Sequence, residues 1–212
     1  ATQNGAYNSA FGFEALKDNI SGAHNSAFGK SALTNNTTGV DNSAFGSFAL
    51  QLNNGGWNCA FGKNALSSNT SGANNVAVGV DALRYNTANN NSAFGYEALT
   101  TNTTGASCSA FGREALGANT TAGNNSAFGA YALDANTTGA SNSAFGRYTL
   151  DANTEGAHNN GFGYNAMISN STGSHNAAFG SYVLDANTTG INNSAFGHQV
   201  LYTNTTGTWN SA

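Results

Sequence analysis

The amino-acid sequence predicts an all-β protein, a parallel β-solenoid or β-roll of about twelve coils of 16–17 residues. The first observation behind this is a repeat. The motif Asn-Ser-Ala-Phe-Gly-x-x-Ala-Leu-x-x-Asn-Thr-Thr-Gly-x-x runs from Asn8 to Trp209, and only the copies opening at Asn42 and Asn75 are a residue shorter. Self-similarity at a short fixed period marks one structural unit stacked on itself. The second observation is composition. Charged residues are 8% of the chain, against roughly 25% in ordinary soluble proteins, so Asn, Ser, Thr and Gly carry the polarity. A fixed register of Phe and Leu separates this chain from low-complexity disorder of similar composition. The third is the complete absence of Pro, expected where each coil interior donates hydrogen bonds to its neighbours.

Positions within a copy are numbered from its opening residue, so that Asn8 is position 1 and His24 is position 17. Helix is excluded, because two large apolar residues per copy cannot line a helical face and Gly and Asn recur throughout. The pattern instead predicts two short strands per copy, Ser-Ala-Phe-Gly and x-Ala-Leu-x, separated by turns. Gly at position 5, as at Gly12 and Gly29, and the usual Gly at position 15 are expected to supply positive φ at the corners. The position-12 Asn residues, among them Asn36, Asn102, Asn119, Asn136, Asn187 and Asn204, are expected at left-handed corners. Their amides would hydrogen-bond from coil to coil as a ladder. In-register stacking at about 4.8 Å per coil gives a rod of roughly 58 Å. Phe and Leu are expected to fill the coil. Alternation then places position 3 on the opposite face. A column of small residues, including Ala27, Ala44 and Ala127, would run down the outside as a stripe for side-by-side assembly, unless these Ala fill a narrow interior instead.

The whole chain, 1–212, reads as one repeat domain with partial copies at both ends. The leading tail Thr2–Tyr7 and the trailing Asn210–Ala212 look like parts of further copies, which predicts a piece of a longer chain. Six basic residues spread over the repeats form no stripe, which argues against nucleic-acid backbone binding. No apolar run reaches the roughly 18 residues of a membrane span, so membrane insertion by this segment is not expected. Cys59 and Cys108 stand three copies apart, roughly 14 Å at that rise, which is too far for a disulfide.

No catalytic constellation emerges, so an enzyme is not expected, and neither is a cofactor. The four His are scattered, with His158 and His175 in adjacent copies. Asp134 and Asp151 share position 10 in adjacent copies, where they are expected to be solvated like charges. Most position-12 Asn open an Asn-x-Ser/Thr triplet, a glycan acceptor in a eukaryotic secreted chain and a plain corner otherwise. Tyr131, Tyr148 and Tyr182 at position 7, with Tyr164 at position 6, form the candidate binding column. Aromatic faces at strand spacing stack either on sugar rings or on one another. Thr at positions 13 and 14 raises a second function class, an ice-binding array. Alternation leaves only one of those columns facing outward.

The copy Asn75-Val76-Ala77-Val78-Gly79 resembles the strand repeated in the heads of trimeric autotransporter adhesins, in which each repeat is one coil of a left-handed parallel β-roll. The repeat here is longer, and its Asn-Thr-Thr-Gly corner looks like repeats of bacteriophage tail fibres. The resemblance covers nearly all of the chain. It implies a homotrimeric fibre, extracellular, on a cell surface or on a virion, that adheres to a surface such as cell-surface carbohydrate or acts as a rigid spacer. It carries over no catalytic residue.

Overall fold

The computed structural model describes residues 5–212; the first part of the leading tail, Ala1–Asn4, lies outside the described residues. The fold is a parallel β-solenoid. Each copy contributes one strand of three residues, from β1 (Ser9–Phe11) to β12 (Ser194–Phe196), and the strands form a single 12-stranded sheet in sequence order. Pairing is parallel and in register, so that Ser26, Ala27 and Phe28 lie against Ser43, Ala44 and Phe45. The shorter copies keep this register. Ser43 still pairs with Cys59, and Val76 with Ser92. Their missing residue is position 14, at the outermost corner, where nothing is packed: Asn53 reaches Gly55, and Asn86 reaches Ala88, across one residue fewer.

The second expected strand does not form. Along x-Ala-Leu-x the residues at positions 7 and 9 are left-handed, for example Ser31 (φ 56°) and Leu33 (φ 51°), and so is position 17, as in Asp41 (φ 56°). A left-handed residue reverses the local direction of the chain. This segment therefore closes the coil by turns, with Ala32 N–H donating to Gly29 O within the coil and Leu33 N–H to Ala49 O in the next. A non-glycine residue in this conformation costs roughly 1–2 kcal/mol. At position 9 the return is a fully buried Leu in nearly every coil.

The glycines divide by cause. Position 5 has positive φ as expected, 136° at Gly29, a region essentially closed to side chains. A Cβ there would also lie 2.6 Å from the carbonyl oxygen of Gly46 in the next coil. Position 15 does not have positive φ, contrary to expectation. Its glycines are required by space, because a Cβ on Gly39 would run into Asn36 and Gly55.

The expected assignment of inside and outside at positions 3 and 4 is reversed. Ala27, Ala44 and Ala127 are wholly buried, whereas Phe28, Phe61 and Phe94 are exposed. Alternation requires only that the two positions face opposite ways, and the width of the coil decides between them. Position 3 abuts the Leu column directly: a Cβ built on Gly161 would stand 3.3 Å from Met167 Cε and 3.6 Å from Leu150 Cδ1. A coil already filled by Leu, two Ala and two Asn has no room for a phenyl ring. The rings stack outside instead, Phe28 on Phe45 at 4.8 Å and Phe45 on Phe61 at 4.7 Å, both nearly parallel. Val78 interrupts the column, and a second stack runs from Phe94 to Phe196. Each stacked pair contributes about 0.5–1.5 kcal/mol beyond area burial. The Ala stripe, being interior, is not available to a partner rod.

Candidate binding face and corner ladders

Two columns of buried Asn bind coil to coil. At position 12, Asn136 Nδ2 donates to Asn119 Oδ1 at 2.9 Å and to Gly139 O in its own coil at 3.0 Å. Asn36, Asn102, Asn119, Asn187 and Asn204 make the same pair of bonds, each to the preceding Asn and to its own corner carbonyl. These Asn are not left-handed, unlike the expectation; their partner geometry comes from the neighbouring coil and not from a strained corner. Both amide hydrogens are used and Asn36, Asn102, Asn119, Asn136 and Asn187 are fully buried, so a folded coil has no space for a glycan at these triplets.

The second column, at position 1, was not singled out from the sequence. Asn25 Oδ1 accepts the N–H of Asn42 at 3.0 Å, while Asn25 Nδ2 donates to Gly39 O at 2.8 Å. The signal was available in the near-constant Asn that opens each copy. Cys108 interrupts this column. Its thiol donates to Ala122 O at 3.4 Å, and burial pushes the thiol pKa up. Cys59 and Cys108 are both free.

The four candidate tyrosines are brought together on one edge beside the phenylalanine face. Tyr131 and Tyr148 stack at 5.2 Å with planes 14° apart. Tyr164 stands edge-on to both neighbours, 6.5 Å and 73° from Tyr148, and 5.4 Å and 76° from Tyr182. The stripe continues to His198, 6.1 Å from Tyr182. Guanidinium groups are interleaved. Arg113 lies over Tyr131 at 5.4 Å, and Arg147 over Tyr148 at 4.5 Å. Arg113 is paired with Glu114 at 2.8 Å, whereas Arg147 has no carboxylate partner among the described residues. Sequence reading missed these arginines, although Arg113 and Arg147 share position 6 with Tyr164 and Tyr96.

The remaining candidates are dispersed around the coil. His158 and His175 stack at 4.9 Å on the exposed position-17 corner. Among the described residues no group of three or more His, Cys, Asp or Glu is placed to hold a metal ion. Asp134 is half-buried rather than freely solvated, with its carboxylate seated against Gly117. Burial first, then the charges of Asp151, Glu114 and Glu97, push its pKa up to about 6. Most position-13 hydroxyls are engaged. Thr103 Oγ1 donates to Thr120 O at 2.9 Å, and Thr137 Oγ1 to Thr154 O at 3.0 Å. The position-14 column, including Thr104 and Thr138, stands in solvent, as do Thr70, Thr103 and Thr205 of the position-13 column. Among the described residues no helix is long and apolar enough to cross a membrane. No family model, curated protein or solved structure matches the chain.

Proposed function

We propose that this chain is a segment of a homo-oligomeric, most simply trimeric, fibre, extracellular, on a cell surface or on a virion, that serves as an adhesive or spacer rod. The observation that carries this reading is the solvent-facing phenylalanine column. Eleven copies place Phe at position 4. Phe11, Phe28, Phe61, Phe94 and Phe196 are exposed and the other six half-buried, so at ordinary phenylalanine areas the strip offers on the order of 700 Å² of apolar surface. That exceeds what a monomer ordinarily leaves open and approaches the roughly 800 Å² per partner of a stable interface. No charged residue occupies positions 1 to 5 of any copy, and Lys30, Lys63, Arg113 and Arg147 follow at position 6, just past the corner. An apolar strip with a charged rim is the anatomy of a protein–protein interface.

A strip one ring wide suits a threefold arrangement, in which each coil level contributes one ring from each copy to a shared axis. The resemblance to adhesin heads points the same way. Light scattering tests the reading. The expected mass is three times the 21.5 kDa of one chain, and Phe128→Asp, on the outward face, should release monomers that keep their β signature. A wild-type chain that stays at 21.5 kDa at micromolar concentration overturns the oligomeric fibre.

The alternative of ice binding draws less support. An array that orders water needs two parallel columns of free hydroxyls, and most position-13 hydroxyls are committed to carbonyls of the next coil. Thermal hysteresis at millimolar protein would reverse that preference.

A further inference from the structure

We infer that the stripe beside the phenylalanine face carries a subsite for an acidic sugar, centred on Tyr164 and Arg147. This rests on the adhesive reading and narrows it to a class of ligand. Of the four candidate tyrosines, Tyr131 and Tyr148 stack face to face, so each closes a face of the other, and Arg147 lies over the ring of Tyr148. Sugar stacking needs an open face. Tyr164 has one. Its plane is turned 73° from Tyr148 and 76° from Tyr182, which aims its faces sideways instead of along the rod, and the residue is 40% exposed. Tyr148 and Tyr182 hold it there from either side.

Charge selects the ligand class. Arg147 occupies the same column as Tyr164, one coil earlier, and Ser181 follows one coil later. Its Nη2 donates to the Tyr148 hydroxyl at 3.0 Å and its guanidinium lies over the Tyr148 ring, so the group is held in place without a carboxylate to neutralise it. A guanidinium has five N–H donors in a fork that matches a carboxylate, and one hydrogen bond leaves most of them free. A pyranose ring on Tyr164 therefore has a cation on one side along the rod axis and a small hydroxyl residue on the other. The sugar that uses both is one bearing a carboxylate. The coil rise of about 4.8 Å is close to the length of one pyranose ring, so an extended uronic-acid chain lying along the rod keeps step with the coils.

The test compares binding of a galacturonic acid trisaccharide and the neutral galactose trisaccharide by calorimetry, using the whole chain. Wild type should prefer the acidic ligand by about tenfold, and the preference should shrink with salt. Tyr164→Ala should lose binding of the acidic ligand. Arg147→Gln should bind both ligands alike, and Tyr85→Ala, an exposed tyrosine off the stripe, should behave as wild type, all with unchanged circular dichroism. Equal binding of both ligands by wild type, or unchanged binding by Tyr164→Ala, overturns the acidic subsite and leaves glycan adhesion standing. Binding of neither ligand overturns the subsite and removes the tyrosine stripe from the adhesive reading. The oligomeric spacer reading is then decided by light scattering alone.

Discussion

Thr149 and Gly161 share one interior space. Thr149 stands where most coils have Ala at position 8, and Gly161, in the next coil, stands where most have Ala at position 3. A Cβ on Gly161 would come within 2.6 Å of Thr149 Cγ2. The extra methyl in one coil thus fills the space released by the missing one in the next. The buried hydroxyl is satisfied by donating to Gly163 O at 2.6 Å. Gly161→Ala alone should overpack the coil and destabilise by about 1–3 kcal/mol. Combining it with Thr149→Ala should recover most of that loss. Urea denaturation of the two single variants and the double variant measures the coupling directly, and additive effects would refute the shared space.

Cys108 is the weak point of the position-1 ladder. It still receives what a normal ladder member receives, since its own N–H donates to Asn91 Oδ1 at 2.8 Å. What it passes on is poorer. In other coils the next N–H finds an amide oxygen, as Asn142 N–H does on Asn125 Oδ1 at 2.8 Å, while the N–H of Asn125 is directed at the sulfur of Cys108. Sulfur is a weak acceptor. Cys108→Asn should therefore stabilise the rod by about 0.5–1.5 kcal/mol, seen as a higher midpoint of thermal unfolding. No gain would mean that the sulfur contact already satisfies the amide.

The repeat made the columns legible because a fixed period assigns every residue to one. Leu at position 9, Gly at position 5 and the amide ladder at position 12 could be read from chemistry alone, and the structure shows buried Leu33, left-handed Gly29 and linked Asn119 and Asn136. The facing of Ala and Phe could not. Hydrophobicity favours Phe inside, and only the width of the coil, a three-dimensional quantity, puts Ala44 there and Phe45 outside. The left-handed residues were half visible. Position 17 is rich in Asn, Ser, Asp and His, mostly types that tolerate that conformation. Leu33 and its equivalents give no such sign, because burial overrides their backbone preference. The candidate stripe was legible as a set of tyrosines but not as an arrangement, since the turn of Tyr164 against Tyr148 depends on side-chain packing.

Val78 leaves a gap in the aromatic column. Its strand pairs in register with both neighbours, Phe61 on one side and Phe94 on the other, yet these rings are separated by a side chain that cannot stack. Val78→Phe should join the two stacks and add about 1–3 kcal/mol for two new pairs, with an unchanged sheet. If the chain assembles through this strip as proposed, the same change should raise the assembly midpoint as well. A drop in thermal midpoint would show that the gap between Phe61 and Phe94 does not accept a stacked ring.

Asp134 makes the rod more stable in mild acid than at neutral pH. Its folded pKa is raised from 3.8 to about 6 by burial and by Asp151, Glu114 and Glu97, and burial also raises Asp151 in the next coil. A carboxyl whose pKa is higher folded than unfolded binds more protons in the folded state between those two values. Stability then falls as pH rises through that window and returns on acidification. The contribution is fully unfavourable at neutral pH, where the charge is held against its neighbours, and it vanishes below the unfolded value. Water reaches about half of the group, so the effect is discounted for screening to on the order of 1 kcal/mol, or roughly 2–4 °C in a chain of this size. The thermal midpoint should therefore be higher at pH 5 than at pH 7. Asp134→Asn should raise the midpoint at pH 7 and flatten the difference, because an amide has the same shape without the charge. A variant with the same pH profile as wild type would assign the acid response to other carboxylates and leave Asp134 no part in it.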